Sequence, residues 1–380
     1  MDNQDQKYIK MALKLAEKGK GRVSPNPLVG ALVVKGDHIV GQGYHARYGD
    51  KHAETKALEE AGSEAKGATI YINLEPCCHH GQTPPCVDEI IKAGISKAVI
   101  SIRDPNPIVN GKSIEILKNK GIEVRLGILE KTASKLNEFF FKYITTRTPF
   151  VTLKSGMSLD GKVATKTGES KWITSDVSRE YVHQLRNQMD ATLVGIETIL
   201  RDNPRLTTRL KNSKGRDPIR VVIDSLLRIP IRMRIFTQES DAGNIIITTI
   251  NAPIDRIKKI ESSGAKVLFV KPKGKNRVDM QAMTEELGKL QITSLLIEGG
   301  PGINASAFQE GIVDKVIMFI APIIIGGKIA PSAIQGDGIA KLEEAVKIHN
   351  IKTKRLGHDL MIECYVEKPP SCVWSPLGCQ

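Results

Sequence analysis

Between residues 52 and 86 the chain reads His52-Ala53-Glu54 and, further on, Pro76-Cys77-Cys78-His79-His80-Gly81-Gln82-Thr83-Pro84-Pro85-Cys86. Three of its six cysteines fall in the last ten of those residues, beside histidines. Thiolate sulfur and imidazole nitrogen are the donors zinc prefers, in a tetrahedron. The N-terminal stretch lacks a signal-peptide core, so such clustering points to metal rather than to disulfides. This places a strong demand on the fold. Residues 52–61 read as a helix, rich in Ala, Glu, Lys and Leu and closed by Gly62. Residues 69–74 read as a strand, and residues 86–93 as a helix that starts behind Pro84-Pro85. Donors at such strand-to-helix junctions meet only if the elements pack as layers of an α/β fold.

Three protein donors would leave the fourth zinc position to a water, whose pKa the metal lowers. A carboxylate must then carry protons. Glu54, two residues from His52 at the start of a helix, can aim beside the metal. The pattern H-x-E…P-C-x-x-C marks zinc nucleobase deaminases, with cysteines three apart. Here Cys86 stands nine positions after Cys77, so the loop between them is enlarged and Cys78, His79 and His80 are rival donors. Cys77 is preferred because it follows Pro76. Cys86 is preferred because it opens a helix, whose N-terminus stabilises a thiolate. A closed structural site of Cys77, Cys78, His79 and Cys86 would leave Glu54 without a purpose.

At 380 residues the chain exceeds what one compact domain usually holds. Residues 7–20 read as an amphipathic helix with Ile9, Ala12, Leu13 and Ala16 on one side, broken by Ser24-Pro25-Asn26-Pro27. Residues 28–35 and 38–44 form a hairpin about Gly36-Asp37. A strand at 97–102, a helix at 114–120 and a strand at 121–127 follow. A second unit begins near Thr146-Arg147-Thr148-Pro149, which sets domains at 1–146 and 147–367. Its expected strands are 150–154, 191–194, 219–223, 244–249, 266–270, 294–297 and 315–320. Its expected helices are 175–188, 280–290 and 305–310. Both units are therefore α/β. Residues 368–380, ending in Cys372 and Cys379, have no periodicity and read as a disordered end or an expression scar. The longest apolar stretch, 316–325, contains Pro322 and reads as a buried strand. It falls short of the about 18 residues a membrane span needs. A cytoplasmic protein is expected.

The net charge of +13 suits nucleic acid, an anionic membrane surface or phosphorylated small molecules. A lysine-rich solvated surface explains it equally well. The basic residues are scattered and do not interleave with aromatics, so nothing local supports nucleic acid. In the second unit, Ser294-Leu295-Leu296-Ile297-Glu298-Gly299-Gly300-Pro301-Gly302 runs an apolar strand into a glycine-rich turn, with a helix expected near Asn304. Amides at such a turn can cradle phosphate, although the G-x-G-x-x-G fingerprint is absent and an ordinary loop would look the same.

The chain carries the motifs SPNPLVGALVV, GYHARYGDKHAE, NLEPCCHHGQTPPC, DPNP, KSGMSLDGKVA, RDNPRLT, VVIDSLLRIP and EGGP. Through them it resembles, over residues 7–367, the bifunctional deaminase/reductase family of bacterial riboflavin biosynthesis. The resemblance implies a cytidine-deaminase-like three-layer first domain and a dihydrofolate-reductase-like α/β second domain. It implies Zn2+ on His52, Cys77 and Cys86, with Glu54 as proton shuttle. It implies deamination of a diaminopyrimidinone bearing a phosphoribosylamino group. NADPH-dependent reduction of 5-amino-6-(5-phosphoribosylamino)uracil to its ribityl form would follow. Asn26, His45 and His79 become expected substrate contacts of the deaminase. Gly156, Trp172, Thr198, Asp202, Ser225 and Gly299, Gly300, Pro301 and Gly302 would hold the cofactor. Ser170, Arg186, Leu206, Arg209 and Glu298 would face the substrate, the two arginines gripping its phosphate. Asp202 and Lys154 are the expected proton-transfer groups. The expected partners are phosphorylated pyrimidines, with no nucleic acid, no membrane and a homo-oligomer. The rival reading is a nucleic-acid-editing deaminase with an RNA-binding second domain. It predicts stacking aromatics, of which the chain has few, and leaves EGGP unexplained.

Overall fold

The computed structural model describes residues 2–80, 84–211, 213–274 and 277–368. From residue 369 on, the expected tail with Cys372 and Cys379 lies outside the described residues, as do Gly81, Gln82 and Thr83. Lys368, assigned above to the tail, is part of the second unit, where its Nζ donates to the Gly311 carbonyl at 2.7 Å. The chain divides into two compact units between Arg147 and Thr148.

The first unit runs α1 (Asp2–Ala16), β1 (Gly30–Lys35), β2 (His38–Tyr44), α2 (Ala53–Ala61), β3 (Thr69–Ile72), α3 (Cys86–Lys92), β4 (Lys97–Ile100), α4 (Lys112–Asn119), β5 (Glu123–Leu126), α5 (Glu130–Leu136) and α6 (Glu138–Thr146). The strands pair in the order β2-β1-β3-β4-β5. β1 is antiparallel to both its neighbours, while β3, β4 and β5 are parallel. Residues 31–34 of β1 are all buried, and they alternate between two cores. Ala31 and Val33 join Ala53, Ala57, Val87, Ile90 and Leu117 from α2, α3 and α4. Leu32 and Val34 join Tyr8, Ile9 and Leu13 of α1 and Ala133 of α5. A period-two strand buried on both faces is the middle of three layers. The helix expected at 7–20 starts five residues earlier and ends at Ala16. α5 and α6 were not anticipated, because EKTASKL has no apolar periodicity to read.

Two glycines bring α2 directly onto β2. A Cβ on Gly43 would stand 2.3 Å from the Ala53 carbonyl oxygen, and one on Gly41 would stand 2.1 Å from that of Ala57. Helix backbone thus lies against strand backbone, which fixes where His52 and Glu54 emerge.

The second unit runs β6 (Phe150–Ser158), α7 (Asp176–Gln188), β7 (Ala191–Gly195), α8 (Ile196–Asp202), β8 (Ile219–Ile223), α9 (Arg234–Thr237), β9 (Asn244–Thr248), α10 (Ile254–Glu261), β10 (Lys266–Phe269), a two-stranded ribbon of β11 (Pro272–Lys273) and β12 (Arg277–Val278), α11 (Met280–Lys289), β13 (Ser294–Gly299), α12 (Pro301–Gln309), β14 (Lys315–Ala321), β15 (Ile348–Leu356) and β16 (Asp359–Val366). The main sheet is ordered β10-β9-β8-β7-β13-β6-β14-β16-β15. It is parallel from β10 to β14, and the C-terminal hairpin adds two antiparallel strands. Met280, Met283 and Leu287 of α11 cover one face. Ile196 and Ile199 of α8 and Ile260 of α10 cover the other.

Two expectations are corrected here, and one hairpin is new. The strand expected over 316–325 ends at Ala321, because Pro322 cannot donate to the ladder; Ile323 and Ile324 are exposed. The helix expected at 305–310 begins at Pro301, where proline's missing N–H costs nothing. The hairpin of β15 and β16 was not foreseen. β15 is an edge strand, IHNIKTKRL, whose polar, exposed sequence hides the alternation.

Candidate active sites

His52 caps the N-terminus of α2, and Cys86 opens α3. The His52 Nδ1 lies 3.1 Å from the Cys86 Sγ and 3.6 Å from the Cys77 Sγ. The three donor atoms all fall within 4.8 Å of one another. Nitrogen and sulfur donors on one tetrahedral zinc stand about 3.5 Å apart given its usual bond lengths, and the two measured distances bracket that value. The donor set therefore fits a single zinc ion. Thr55 on α2 donates to Glu89 Oε2 on α3 at 2.6 Å, tying together the two helices that present these donors.

The first amide of α3 points at sulfur, but not at the sulfur expected. Cys86 N–H donates to Cys77 Sγ at 3.3 Å. Hydrogen bonds from Cys86 hold the Cys77 thiol down at about 4, while that same partnership and burial push Cys86 up. The hydrogen bond with Cys77 raises His52. The helix end thus stabilises the thiolate of Cys77. Cys78 turns away, with its sulfur 3.9 Å from the Ile108 carbonyl. Among the described residues, Cys78, His79 and His80 do not join the donor group.

Glu54 is 3% exposed, and no described residue hydrogen-bonds its Oε2. Burial pushes its carboxyl up to about 7, against the pull of His52. Beside His52 lies His45, one of the residues expected to contact substrate. The His45 Nδ1 faces the Lys51 carbonyl at 3.3 Å, and its Nε2 faces Asn26 Nδ2 at 3.2 Å. A carbonyl only accepts, so Nδ1 carries the proton and Nε2 accepts from the Asn26 amide. That sets the orientation of Asn26. The His45 side chain is buried, with its ring edge-on to His52. The buried His79 Nδ1 has no partner among the described residues.

In the second unit a cleft of about 1610 Å³ opens at the carboxyl ends of β6, β7, β8 and β13. Ligands of parallel sheets bind at such edges. A pocket for one small ligand is about 300–1,000 Å³, so this one has room for two. It is lined by Lys154, Gly156, Ser170, Trp172, Arg186, Thr198, Asp202, Arg209, Ser225, Glu298, Gly299, Gly300, Pro301 and Gly302. Leu206 is the exception. Its side chain is packed in the core with Ile199 and Val222.

Glu298 and Arg186, both expected to face the substrate, line the cleft and are paired with each other. The Glu298 side chain is 4% exposed, and Arg186 grips it through Nε at 2.5 Å and Nη2 at 2.7 Å. Thr192 donates at 2.8 Å and the Lys154 ammonium stands at 3.2 Å. Burial alone would raise the Glu298 carboxyl; Arg186 and Lys154 instead hold it far below the usual carboxylate range. Glu298 is thus the counter-ion for two cations on the cleft wall. The glycine turn is also shorter than expected. Gly299 has φ 118, a conformation closed to most side chains, and α12 starts two residues later.

Residues 2–102 match the model for the cytidine and deoxycytidylate deaminase zinc-binding region, and residues 149–362 match the RibD C-terminal domain. The Riboflavin biosynthesis protein RibD of Actinobacillus pleuropneumoniae is 43% identical over 365 residues, covering 96% of each chain. That of Aquifex aeolicus is 44% identical, covering 94% of this chain and 97% of its own. The solved RibD of Acinetobacter baumannii superposes with a TM-score of 0.87 at 34% identity, covering 97% of this chain and 100% of that one. The chain belongs to the RibD family. It is a bifunctional deaminase/reductase of riboflavin biosynthesis, and the RNA-editing alternative is not favoured.

Sequence reading missed the groups that support both RibD sites. Glu75, two residues before Cys77, is buried and accepts from the amides of Asp104, Gly111 and Ser113 at 2.9–3.2 Å. It fastens the DPNP segment beside the metal donors. Asn73 bonds Gly30 and Leu28, and Asn137 bonds Leu28, which seats the chain next to Asn26. A carboxylate or amide at the end of an apolar strand was the available signal. His183 and Thr192 lie on a helix and a strand that were foreseen, but nothing in their spacing marks the side chains.

Proposed function

We propose that the first unit deaminates a diaminohydroxyphosphoribosylaminopyrimidine. The second unit would then reduce 5-amino-6-(5-phosphoribosylamino)uracil with NADPH. The deaminase and the reductase activities, though not the cofactor, are those named for the Thermotoga maritima relative, 36% identical over 96% of this chain. The observation that carries the first reaction is the convergence of His52 Nδ1, Cys77 Sγ and Cys86 Sγ within 4.8 Å, beside buried Glu54. These three residues would hold zinc, which when bound supplies a water acidified enough to attack near neutral pH. Glu54, buried and with its Oε2 unpartnered among the described residues, can take a proton there and return it to the ring and the departing ammonia. Asn26, oriented by His45, offers an amide to the pyrimidine edge.

For the second reaction, the amides at the start of α12 and the hydroxyl of Ser225 suit the phosphates of a dinucleotide. Gly156, Trp172, Thr198 and Asp202 would flank it, and Ser170 and Arg209 would take the sugar phosphate. NADPH supplies a hydride for the sugar C1. Opening the sugar ring needs a proton on its oxygen. Lys154, poised on Glu298, and Asp202 are the cleft groups that can move one.

Free thiols at Cys77 and Cys86 accord with a reducing cytoplasm. No helix among the described residues is long and apolar enough to cross a membrane. The open edge of β15, with Ile348 and Ile351 exposed, is where a second copy would add in a homo-oligomer. A single-copy mass in solution would refute that. The functional test is direct. Zinc-replete protein given the diaminopyrimidine alone should accumulate the uracil, and adding NADPH should convert it to the ribitylamino product with equimolar NADPH oxidation. Deamination of tRNA in place of these substrates would overturn the reading.

A further inference from the structure

His183 lies one turn before Arg186 on α7, inside the same cleft, and neither the expected site nor the mechanism above uses it. Its Nδ1 is 3.3 Å from the Arg209 backbone nitrogen, which donates to it, and 3.3 Å from Arg186 Nη1. Both neighbours are donors, so Nδ1 is the unprotonated nitrogen and the ring is an acceptor there. Arg186 also donates through Nη1 to the Thr207 carbonyl at 3.0 Å, and Arg209 Nη1 donates to the Thr207 hydroxyl at 2.8 Å. Residues 207–209 are thus fastened to α7 at two points, one of them His183.

The two arginines differ in what they have left to offer. Arg186 is neutralised by Glu298. No described carboxylate forms an ion pair with Arg209, so its charge is available to an anion on the cleft wall. We propose that His183 is the positioning residue for the phosphate end of the reductase substrate, acting through Arg209. The inference rests on the reductase reading given above. A histidine suits the place because its neutral ring can accept from the Arg209 backbone amide and the Arg186 guanidinium without adding a third positive charge. Burial first, then Arg186 and Arg209, hold its pKa down to about 4, with Glu298 and Glu180 opposing weakly. At neutral pH the ring is uncharged. A lysine or arginine here would repel Arg209, and a carboxylate would compete with the substrate phosphate for it.

The test compares His183→Phe, which fills the space without an acceptor, with His183→Asn, whose Oδ1 stands near the place of Nδ1. Steady-state reduction of 5-amino-6-(5-phosphoribosylamino)uracil is followed by NADPH oxidation. For His183→Phe, loss of the acceptor that Arg209 N–H and Arg186 share should raise the substrate KM about tenfold, with kcat and the NADPH KM within about twofold. His183→Asn should recover the substrate KM to within about threefold of the parent. If His183→Phe does not fold, His183→Ala, which leaves space instead of strain, takes its place. An unchanged substrate KM overturns the proposal. So does an equal loss in His183→Asn, or a fall in kcat with a rise in both KM values, as a purely structural role would give. A parent enzyme that does not reduce this substrate sinks the functional reading itself, and with it the role of His183.

Discussion

At the scale of single residues, Cys77 and Cys78 are adjacent in sequence and opposite in surroundings. Cys77 faces His52, Cys86 and the first amide of α3; Cys78 faces the Ile108 carbonyl. Neither residue type nor spacing separates them. The proline before Cys77 favoured it, and the geometry agrees. Cys77→Ser and Cys86→Ser should each lose bound zinc and deamination, and Cys78→Ser should keep a full equivalent, read by metal analysis of dialysed protein. Zinc loss in Cys78→Ser would make it a ligand. The thiolate assignment shows where residue-level reading stops. A helix N-terminus was expected to favour Cys86, the residue in the helix. An amide points outward from the first turn, so it serves the sulfur in front of the helix, which is Cys77. The arginine pair has the same lesson. Arg186 has the right chemistry for phosphate, but three-dimensional packing spends it on Glu298.

At the scale of elements, α2 sets the deaminase site because it lies on β2 with no side chains between at Gly41 and Gly43. Gly43→Ala would force its Cβ against the Ala53 carbonyl, one residue from His52. We expect about 1–3 kcal/mol of destabilisation in denaturant unfolding, together with weaker zinc retention and slower deamination. Unchanged zinc affinity would mean that α2 can shift without moving His52. Elements with a strong apolar period were legible: the hairpin of β1 and β2, the helices α2, α3 and α7, and the central strands β7, β8 and β13. Elements whose burial depends on distant partners were not. β16 pairs with β14 and β15 pairs with β16, so their pattern makes sense only once the sheet exists. α12 began four residues before its expected start because Pro301 was taken as part of a turn, when proline also opens helices.

At the scale of the whole molecule, two compact α/β units each carry one site, divided where the Thr146-Arg147-Thr148-Pro149 stretch lies. The motifs picked out residues that converge in one donor group and, in the second unit, residues that nearly all line one cleft; Leu206 is the exception, since its side chain turns into the core. Thr192 and His183 lie in none of these motifs, and Asn73 and Glu75, though inside NLEPCCHHGQTPPC, carry no mark of their supporting role, because a hydrogen bond across a fold leaves no local spacing. The central claim is that one chain performs two chemically separate steps, with Glu54 serving only the first. The most direct measurement takes Glu54→Gln, determines its zinc, and supplies it in turn with the diaminopyrimidine and with 5-amino-6-(5-phosphoribosylamino)uracil plus NADPH. The account predicts a full zinc equivalent, deamination slowed by about 10²–10⁴-fold, and reduction at the parental rate. Loss of zinc, or deamination that persists at the parental rate, would contradict it.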